Sequence, residues 1–356
     1  MSIVRSLLGG AGILAALVAL VVDPAVAQAP TPQSAGAPPS APHGYLVVAN
    51  QQSADASIVS LPGGTEKRVI VGTGPHETAI APGGEWGVVT VYGTKESVGA
   101  QLALVDLASG TLVRHVELAQ YTRPHAVVPL PGSSTGAARR VLATSEATGN
   151  VVIVDLDAGR VEAAIPTGAA GSHMVVVTAD GRRAFTANIP GGSISEMDLV
   201  ERRLVRTIPV GQQVTEGIAA TPDGREVWVG SNASGIVSVV DTREGKVVAT
   251  VTGFRVPYRL AIAPDGRTAA VVDPATGSLH LVDVAARRTT STVDVGGSPR
   301  GVVFSADGRT AFTTVVTSGP TGAVVAVDVA TREIVGRHAV GVAPDGVAFH
   351  PDASVR

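Results

Sequence analysis

Residues 216–251 read EGIAATPDGREVWVGSNASGIVSVVDTREGKVVATV, and this stretch decides the fold. Short runs rich in Val, Ile and Ala alternate with turn signals, which are Pro222-Asp223-Gly224, the loop 232–235 and the turn 242–245. β-Branched residues favour strands, whereas Gly, Pro, Asn and Asp favour turns. The stretch therefore predicts four short antiparallel strands joined by tight turns.

The same unit recurs seven times between Gly44 and Arg356. Its first turn is centred on Gly83, Gly132, Asp180, Asp223, Asp265, Asp307 and Asp352, so successive units are 42 to 49 residues apart. That spacing is at or slightly above the ~40–45 residues typical of a four-stranded propeller blade. Because a closed ring buries every sheet face against a neighbour, we predict an all-β fold, a seven-bladed β-propeller over residues 44–356.

The two ends of this region complement each other. The last unit contains one strand, at 346–350, whereas three further strands precede the first complete unit, at 45–50, 57–61 and 68–71. We predict that the one C-terminal strand and the three N-terminal strands form the last blade together and close the ring.

The first 43 residues carry a different pattern. Arg5, the uncharged apolar stretch 7–22 and the small residues Ala25-Val26-Ala27 predict a cleaved signal peptide over residues 1–27. An uncleaved anchor is the alternative, but the stretch is short for a membrane span of about 20 residues. Residues 28–43 are rich in Pro, Ala and Ser and predict a linker. We therefore expect a periplasmic or secreted protein with no membrane span after cleavage.

Composition excludes several classes of function. The chain has no cysteine, so it forms no disulfide. Its net charge is −3 and its basic residues are scattered, so we expect no nucleic-acid partner. The sequence contains no P-loop, no Gly-rich dinucleotide motif, no Gly-x-Ser-x-Gly elbow and no Cys-x-x-Cys-His haem attachment.

Aspartates end the third strand of six units and have a structural interpretation. Asp at the entrance of a hairpin accepts hydrogen bonds from nearby backbone N–H groups, and the recurrence of these residues favours that role over a ligand-binding one. They are Asp106, Asp155, Asp198, Asp241, Asp283 and Asp328.

One column of the repeat does not repeat. Seven residues before each turn centre stand His76, His125, His173, Glu216, Tyr258, Arg300 and Asp345, in chain order. The first strand of a propeller blade lines the central channel, so residues at one repeat position form a ring near one mouth of the pore. In that ring the three histidines are flanked by Asp345 and Glu216, and Tyr258 and Arg300 lie opposite them.

The histidine arc predicts a metal site. Imidazole suits Zn, Cu, Fe or Ni, and a carboxylate completes a set of three or four ligands with one position open to water. We predict that the metal ligands are His76, His125, His173 and Glu216. Glu77 and Met174 follow two of the histidines and are candidates for supporting contacts. The alternative is that all these residues line a wet channel and bind only water.

The rest of the ring predicts a site for a small molecule. Arg300, or Arg259 in the next column, could bind an anionic substrate group. The predicted ligand-binding residues are Glu216, Tyr258, Arg259, Arg300 and Asp345. A metal-bound water facing that group would suit hydrolysis or lyase chemistry. Without a metal, a histidine could act as general base and Arg300 could stabilise an oxyanion. The catalytic candidates are therefore His76, His125, His173 and Arg300.

The chain resembles the YVTN-repeat, or YncE-like, propellers. Ala184-Phe185-Thr186-Ala187-Asn188, Leu46-Val47-Val48-Ala49-Asn50, the Val-Asp strand ends and the Pro-Asp-Gly turns carry the resemblance over residues 44–356. It implies the propeller fold and export, and it assigns no reaction. More distantly, seven-bladed propellers include lactonase-like hydrolases, an antibiotic lyase and the haem-binding domain of a bacterial nitrite reductase.

These observations leave three functions open. The first is binding of a small molecule or divalent metal at the pore mouth, with a lactonase-like or metal-assisted hydrolase as the enzymatic form. The second is a non-enzymatic scaffold that binds a protein partner on a propeller face. The third is binding of a planar cofactor such as haem over the pore, with one histidine as axial ligand.

Overall fold

The structure is a computed structural model that describes residues 42–132, 139–189, 191–211, 213 and 215–352. The predicted signal peptide and all but the last two residues of the predicted linker lie outside the described residues. No helix that could cross a membrane is found among the described residues.

The described residues form 28 β-strands. The first three are β1 (Gly44–Asn50), β2 (Asp55–Leu61) and β3 (Thr65–Ile70). Blade one contains β4 (Pro75–Ile80), β5 (Trp86–Gly93), β6 (Val98–Asp106) and β7 (Thr111–Glu117). Blade two contains β8 (Pro124–Pro129), β9 (Arg140–Ser145), β10 (Asn150–Asp155) and β11 (Arg160–Pro166). Blade three contains β12 (Ser172–Val177), β13 (Arg183–Asn188), β14 (Ser193–Asp198) and β15 (Arg203–Pro209).

The remaining blades follow the same order. Blade four contains β16 (Thr215–Ala220), β17 (Glu226–Ser231), β18 (Ile236–Asp241) and β19 (Lys246–Val251). Blade five contains β20 (Arg259–Ile262), β21 (Thr268–Asp273), β22 (Ser278–Asp283) and β23 (Arg288–Asp294). Blade six contains β24 (Ser298–Phe304), β25 (Thr310–Val316), β26 (Gly322–Asp328) and β27 (Ile334–Val340). The last strand is β28 (Pro344–Pro351).

The strands form seven antiparallel sheets of four strands each. Six sheets are meanders of consecutive strands, and the seventh has the order β28-β1-β2-β3. In that sheet, called blade seven, Gly44 pairs with Pro351 and Leu46 with Phe349. The predicted all-β, seven-bladed β-propeller is confirmed.

The hydrophobic core lies between the blades. The described residues form seven buried apolar clusters, and each cluster joins two neighbouring blades. The bulkiest fully buried side chains, Trp228, Phe185 and Phe312, each belong to one of these layers. Small β-branched residues fill most of the remaining space, which is why a chain with only 3% aromatic residues packs its blades closely.

The strand-end aspartates have the structural role that the sequence predicts. Asp198 Oδ1 accepts hydrogen bonds from the N–H groups of Val200 and Glu201, both at 2.9 Å. The equivalent carboxylates in the other five blades make the same kind of contact with the turn that follows them.

A β-bulge near the start of the inner strand shapes the pore mouth. In blade one Pro75 pairs with Val91 and Thr78 with Val89, so His76 and Glu77 together lie opposite Thr90. Blades two, three, four and six show the same shift in register. A bulge leaves one residue unpaired and re-aims its side chain. Two consecutive side chains of one strand therefore both contribute to the pore.

Candidate functional site

Three side chains at the pore mouth form a group with metal-ligand chemistry. Single ligand atoms of His125, Glu146 and His173 all lie within 4.8 Å of one another. The two imidazole rings are in contact, with centroids 3.5 Å apart and their planes tilted by 34°, and His173 Nδ1 lies 3.2 Å from Glu146 Oε2. Both histidines are buried, and His125 Nδ1 has no hydrogen-bond partner among the described residues.

Protonation differs between these two histidines. Burial, together with the neighbouring His173, holds the pKa of His125 well below its ordinary value, so this ring is neutral and offers a lone pair. Burial also lowers the pKa of His173, but hydrogen bonds to Glu146 and Glu216 outweigh it and raise the pKa overall. One imidazole is thus ready to bind a cation, and the other carries a proton that a cation would replace.

Glu216 lies behind His173 rather than in the group itself. Its Oε1 is 3.3 Å from His173 Nε2 and accepts a hydrogen bond of 2.8 Å from Arg259 Nη1. Asn232 Nδ2 donates to the other oxygen. Burial raises the pKa of this carboxyl, but Arg259 and His173 outweigh that effect and hold the pKa at about 2. Glu216 is therefore an ionised carboxylate that orients His173.

His76 is next to the metal-ligand group but has other partners. Its ring centroid is 4.7 Å from that of His125, and its Nδ1 lies 3.0 Å from Asp345 Oδ2. Gln51 Nε2 donates to the same aspartate oxygen at 2.7 Å. Burial raises the pKa of Asp345, but the bond to His76 and the charge of Arg259 lower it overall. The four predicted metal ligands, His76, His125, His173 and Glu216, therefore lie side by side along the ring. Of these, His125 and His173 belong to the group with Glu146, whereas His76 contacts Asp345 and Glu216 contacts His173.

Glu146 is a residue that the sequence analysis missed. It follows β9 directly, and a second ring of residues occupies this place in the other blades: Gln51, Tyr92, Ile189, Asn232, Pro274 and Val316. In five blades that residue stands sixteen positions after the histidine column, whereas Glu146 stands twenty-one after His125 because blade two is longer there. Aligning the blades on their second strands would have found it.

Tyr92 belongs to this second ring and contacts the histidines. Its hydroxyl donates to Glu146 Oε2 at 3.3 Å, and its ring packs edge-on against His76 with centroids 4.5 Å apart. Burial and the charge of Glu146 raise the pKa of Tyr92 to about 12, so the phenol stays protonated and can donate. Tyr92 therefore fixes one oxygen of the carboxylate in the metal-ligand group.

Arg259 links acidic residues of two other blades. Its Nε donates to Glu77 Oε1 at 3.1 Å and its Nη1 to Glu216 Oε1, and these acids belong to blades one and four. Because blades one and five are not neighbours, this ion pair crosses the channel. Burial raises the pKa of Glu77 to about 7, against the opposing charge of Arg259. The Arg259 side chain is 4% exposed, so it holds carboxylates together rather than facing a ligand in solvent.

The opposite arc of the ring contains donors. The guanidinium carbon of Arg300 lies 5.1 Å from the centroid of the Tyr258 ring, and that of Arg259 lies 4.4 Å from it. Burial raises the pKa of Tyr258, so its phenol is protonated. Arg300 is partly buried and makes no ion pair or hydrogen bond with the residues that the structure describes. The ring thus divides into a cation-accepting arc and an arc of donors.

Comparisons with known proteins bear on the fold and on one class of ligand. The Cytochrome D1 heme domain family model matches residues 140–275, a part of the propeller that includes Glu146, His173 and Glu216. No curated protein sequence matches the chain. Among solved structures, Kuenenia stuttgartiensis hydrazine synthase superposes with a TM-score of 0.68 at 17% identity, covering 84% of this chain and 99% of that one. The resemblance to YVTN-repeat propellers stays a prediction. The chain is therefore a seven-bladed β-propeller that is similar, over residues 140–275, to the cytochrome D1 haem domain family.

Proposed function

We propose that the protein binds a divalent transition-metal ion at the pore mouth through His125, Glu146 and His173. The observation that carries this proposal is the convergence of their ligand atoms within 4.8 Å. The unpartnered, buried Nδ1 of His125 supports it, because a buried nitrogen without a partner costs free energy that a bound ion would recover. Two imidazoles and a carboxylate suit zinc and its neighbours in the first transition row.

The contacts of His173 also support an ion at this place. In metal sites a ligating histidine usually donates its other ring N–H to a carboxylate, which fixes the ring orientation. His173 has that arrangement, since Nε2 faces Glu216 and leaves Nδ1 on the side of Glu146. An ion would take the place of the proton between Nδ1 and the Glu146 carboxylate.

Metal-assisted hydrolysis of an ester or lactone is the reaction class that we propose for this site. A divalent ion bound there would supply Lewis acidity. His76 is the side chain that can hold or move a proton beside it, because its ring is adjacent to His125 and Asp345 holds its Nδ1. We also propose that this activity takes place outside the cytoplasm, and the signal peptide predicted over residues 1–27 supports that part of the proposal.

Metal titration tests the proposal. Calorimetric titration of the protein with Zn²⁺ or Co²⁺ should give one site, and His125→Ala, Glu146→Gln or His173→Ala should each weaken binding by more than about tenfold, because each removes one ligand. His338→Ala is the matched control, since His338 lies on the outer strand β27. Equal, weak binding by the wild type and all three ligand variants would contradict the proposal.

Haem binding is a second candidate, and the family match over residues 140–275 favours it. A macrocycle over the pore needs an imidazole nitrogen at the surface. The side chain of His173 is only 10% exposed, whereas that of His76 is 21% exposed. We therefore place the small ion first, and His76 is the residue that would hold the haem iron if haem binds. Reconstitution with haem separates the two candidates: a Soret band that His76→Ala abolishes supports haem, and a colourless protein that binds Zn²⁺ rejects it.

A further inference from the structure

We propose that Arg300 and Tyr258 form a binding site for a small oxyanion, a carboxylate or a phosphate, on the arc of the pore mouth opposite the histidines. The inference extends the proposed function by naming the class of ligand. A carboxylate and a phosphate each present two neighbouring oxygens. The planar fork of a guanidinium binds such a pair with two parallel hydrogen bonds. Arg300 is the side chain that offers such a fork at this place.

The contacts of Arg300 distinguish it from the other arginines near the pore. Arg259 forms ion pairs with two carboxylates, Glu77 at 3.1 Å and Glu216 at 2.8 Å. Arg300 forms no ion pair and no hydrogen bond with the described residues, although it is partly buried. A partly buried guanidinium whose N–H groups have no acceptor in the protein is a costly group, and an anionic ligand would supply the acceptors.

The surroundings hold the Arg300 side chain in place. Its guanidinium lies over the Tyr258 ring, and cation–π stacking of this kind favours one orientation of the fork. Tyr258 keeps its hydroxyl proton and adds a donor beside the guanidinium. The site therefore presents donors that are already ordered, which reduces the entropy lost on binding.

A second, buried donor lies next to Tyr258. Arg259 Nη2 has no hydrogen-bond partner among the described residues, and its side chain is 4% exposed. Its guanidinium contacts the same Tyr258 ring as that of Arg300. Asp345 bounds the arc on the side of blade seven. Its Oδ2 accepts hydrogen bonds from Gln51 and His76, whereas its Oδ1 is buried without a hydrogen-bond partner among the described residues. Tyr258 and Arg300, which lie between Asp345 and Glu216 on the ring, are donors, so an anion suits this part of the arc.

Calorimetric titration with succinate and with inorganic phosphate tests the site, both on the metal-free protein and after loading with Co²⁺. We expect saturable binding of at least one anion. Arg300→Gln should weaken it by at least about tenfold, because a charge-assisted bidentate contact is lost. Arg300→Lys should restore only part of the affinity, because lysine keeps the charge and lacks the fork. Tyr258→Phe should weaken binding by a smaller factor.

Arg309→Gln is the matched control, because Arg309 is in the same blade, follows the turn at the other end of the inner strand and is 68% exposed. The two probes separate a carboxylate site from a phosphate site. Anion binding that is equally strong in wild type and Arg300→Gln, or no saturable binding of either probe, would overturn the inference. Co²⁺ affinity is measured separately on the same variants. If Co²⁺ does not bind but the anion binds through Arg300, the metal proposal fails and this inference stands.

Discussion

The protonation state of the site depends on one residue, His173, because each of its two ring nitrogens faces a carboxylate. The contacts are 3.2 Å to Glu146 and 3.3 Å to Glu216. A ring that donates to both is a cation, in agreement with its raised pKa. Glu216 stays ionised through its contacts with Arg259 and His173, so the proton that can leave is the one on the Glu146 side.

This arrangement predicts that metal binding competes with a proton. The pKa of folded His173 lies above its ordinary value of 6.5, so below that raised pKa an ion must displace the proton. Zn²⁺ affinity should therefore rise with pH, by up to about tenfold per pH unit below the raised pKa, and then level off. Calorimetry across this range in two buffers of different ionisation enthalpy measures the protons released. Affinity that does not change with pH would contradict the assignment of His173 as a ligand.

The contribution of His173 to the stability of the metal-free protein should decrease as pH rises, whereas the Zn²⁺ affinity increases. A raised folded pKa means that protonated His173 stabilises the fold, fully below the ordinary value of 6.5. This contribution is lost as pH rises through the raised folded pKa. Urea unfolding of wild type and His173→Gln over the same pH range should show the pH-dependent difference shrinking as pH rises.

Sequence reasoning at this scale found the histidines and missed Glu146. His125 and His173 each stand seven residues before the first turn of their unit. That turn is the most regular feature of the repeat, so the column is easy to align. Glu146 stands in a column that is displaced in blade two by five extra residues. Its proximity to His173 depends on where β9 ends relative to β8, and only the paired strands show that register.

At the scale of the element, the bulges at the pore mouth are held by buried threonines. Thr144 Oγ1 accepts the N–H of Ala126 at 2.9 Å and donates to the carbonyl oxygen of His173 at 2.8 Å. Thr314 does the same for Gly301 and Asp345, at 2.7 and 2.6 Å. One hydroxyl thus satisfies a bulged backbone group in its own blade and ties it to the site residue of the next.

Thr144→Val tests this role, because valine keeps the shape and removes the hydroxyl. Two buried backbone groups lose their partner, which should cost about 1–3 kcal/mol in the free energy of unfolding and weaken Zn²⁺ binding through the shifted His173. Thr314→Val is the control, since it should cost a similar free energy without changing Zn²⁺ affinity. Equal Zn²⁺ affinity in the two variants would show that Thr144 does not position the ligand.

The bulges were not predictable from the sequence, although the strands that contain them were. The repeat pattern shows where each inner strand begins and ends, because Pro-Asp-Gly turns and alternating apolar residues define it. A bulge adds one residue to one side of a ladder without changing that pattern. The prediction therefore gave Glu77 as a candidate for supporting contacts and did not specify its contact with Arg259 across the channel.

At the scale of the whole molecule, Arg259 joins blades that do not touch through their sheets. Its guanidinium pairs with acids of blades one and four from its place in blade five. Space for this network depends on small residues, since a Cβ at Gly346 would lie 2.5 Å from Glu77 Oε2. The period of the repeat predicted the ring. It could not predict the pair of Arg259 with Glu77, because these residues share a column of the repeat but belong to blades that are not neighbours, and the order of residues around the ring does not show which side chains meet across the channel.

Removing the Arg259 guanidinium should destabilise the whole ring. Arg259→Met leaves the buried Glu77 carboxyl without its ionic partner and leaves Glu216 with only His173 and Asn232, so we expect a loss of about 3–5 kcal/mol in the free energy of unfolding. The double variant Arg259→Met with Glu77→Gln should recover part of that loss, because it removes the carboxyl that lost its ionic partner. Urea unfolding measures both. A single variant within about 1 kcal/mol of wild type would show that the ion pairs do not stabilise the fold.

The sheet that joins β28 to β1 has a consequence for the order in which the molecule assembles. Gln51 and Asp345, which meet at His76, are separated by 294 positions in the chain, and His76 and Asp345 by 269. His125, Glu146 and His173 come from two successive blades. Contacts between distant segments carry a larger loop-closure entropy and form more slowly. We therefore expect the metal-ligand group to be complete once blades two and three have docked. The contact of His76 with Asp345 should form later, when the two ends of the propeller pair.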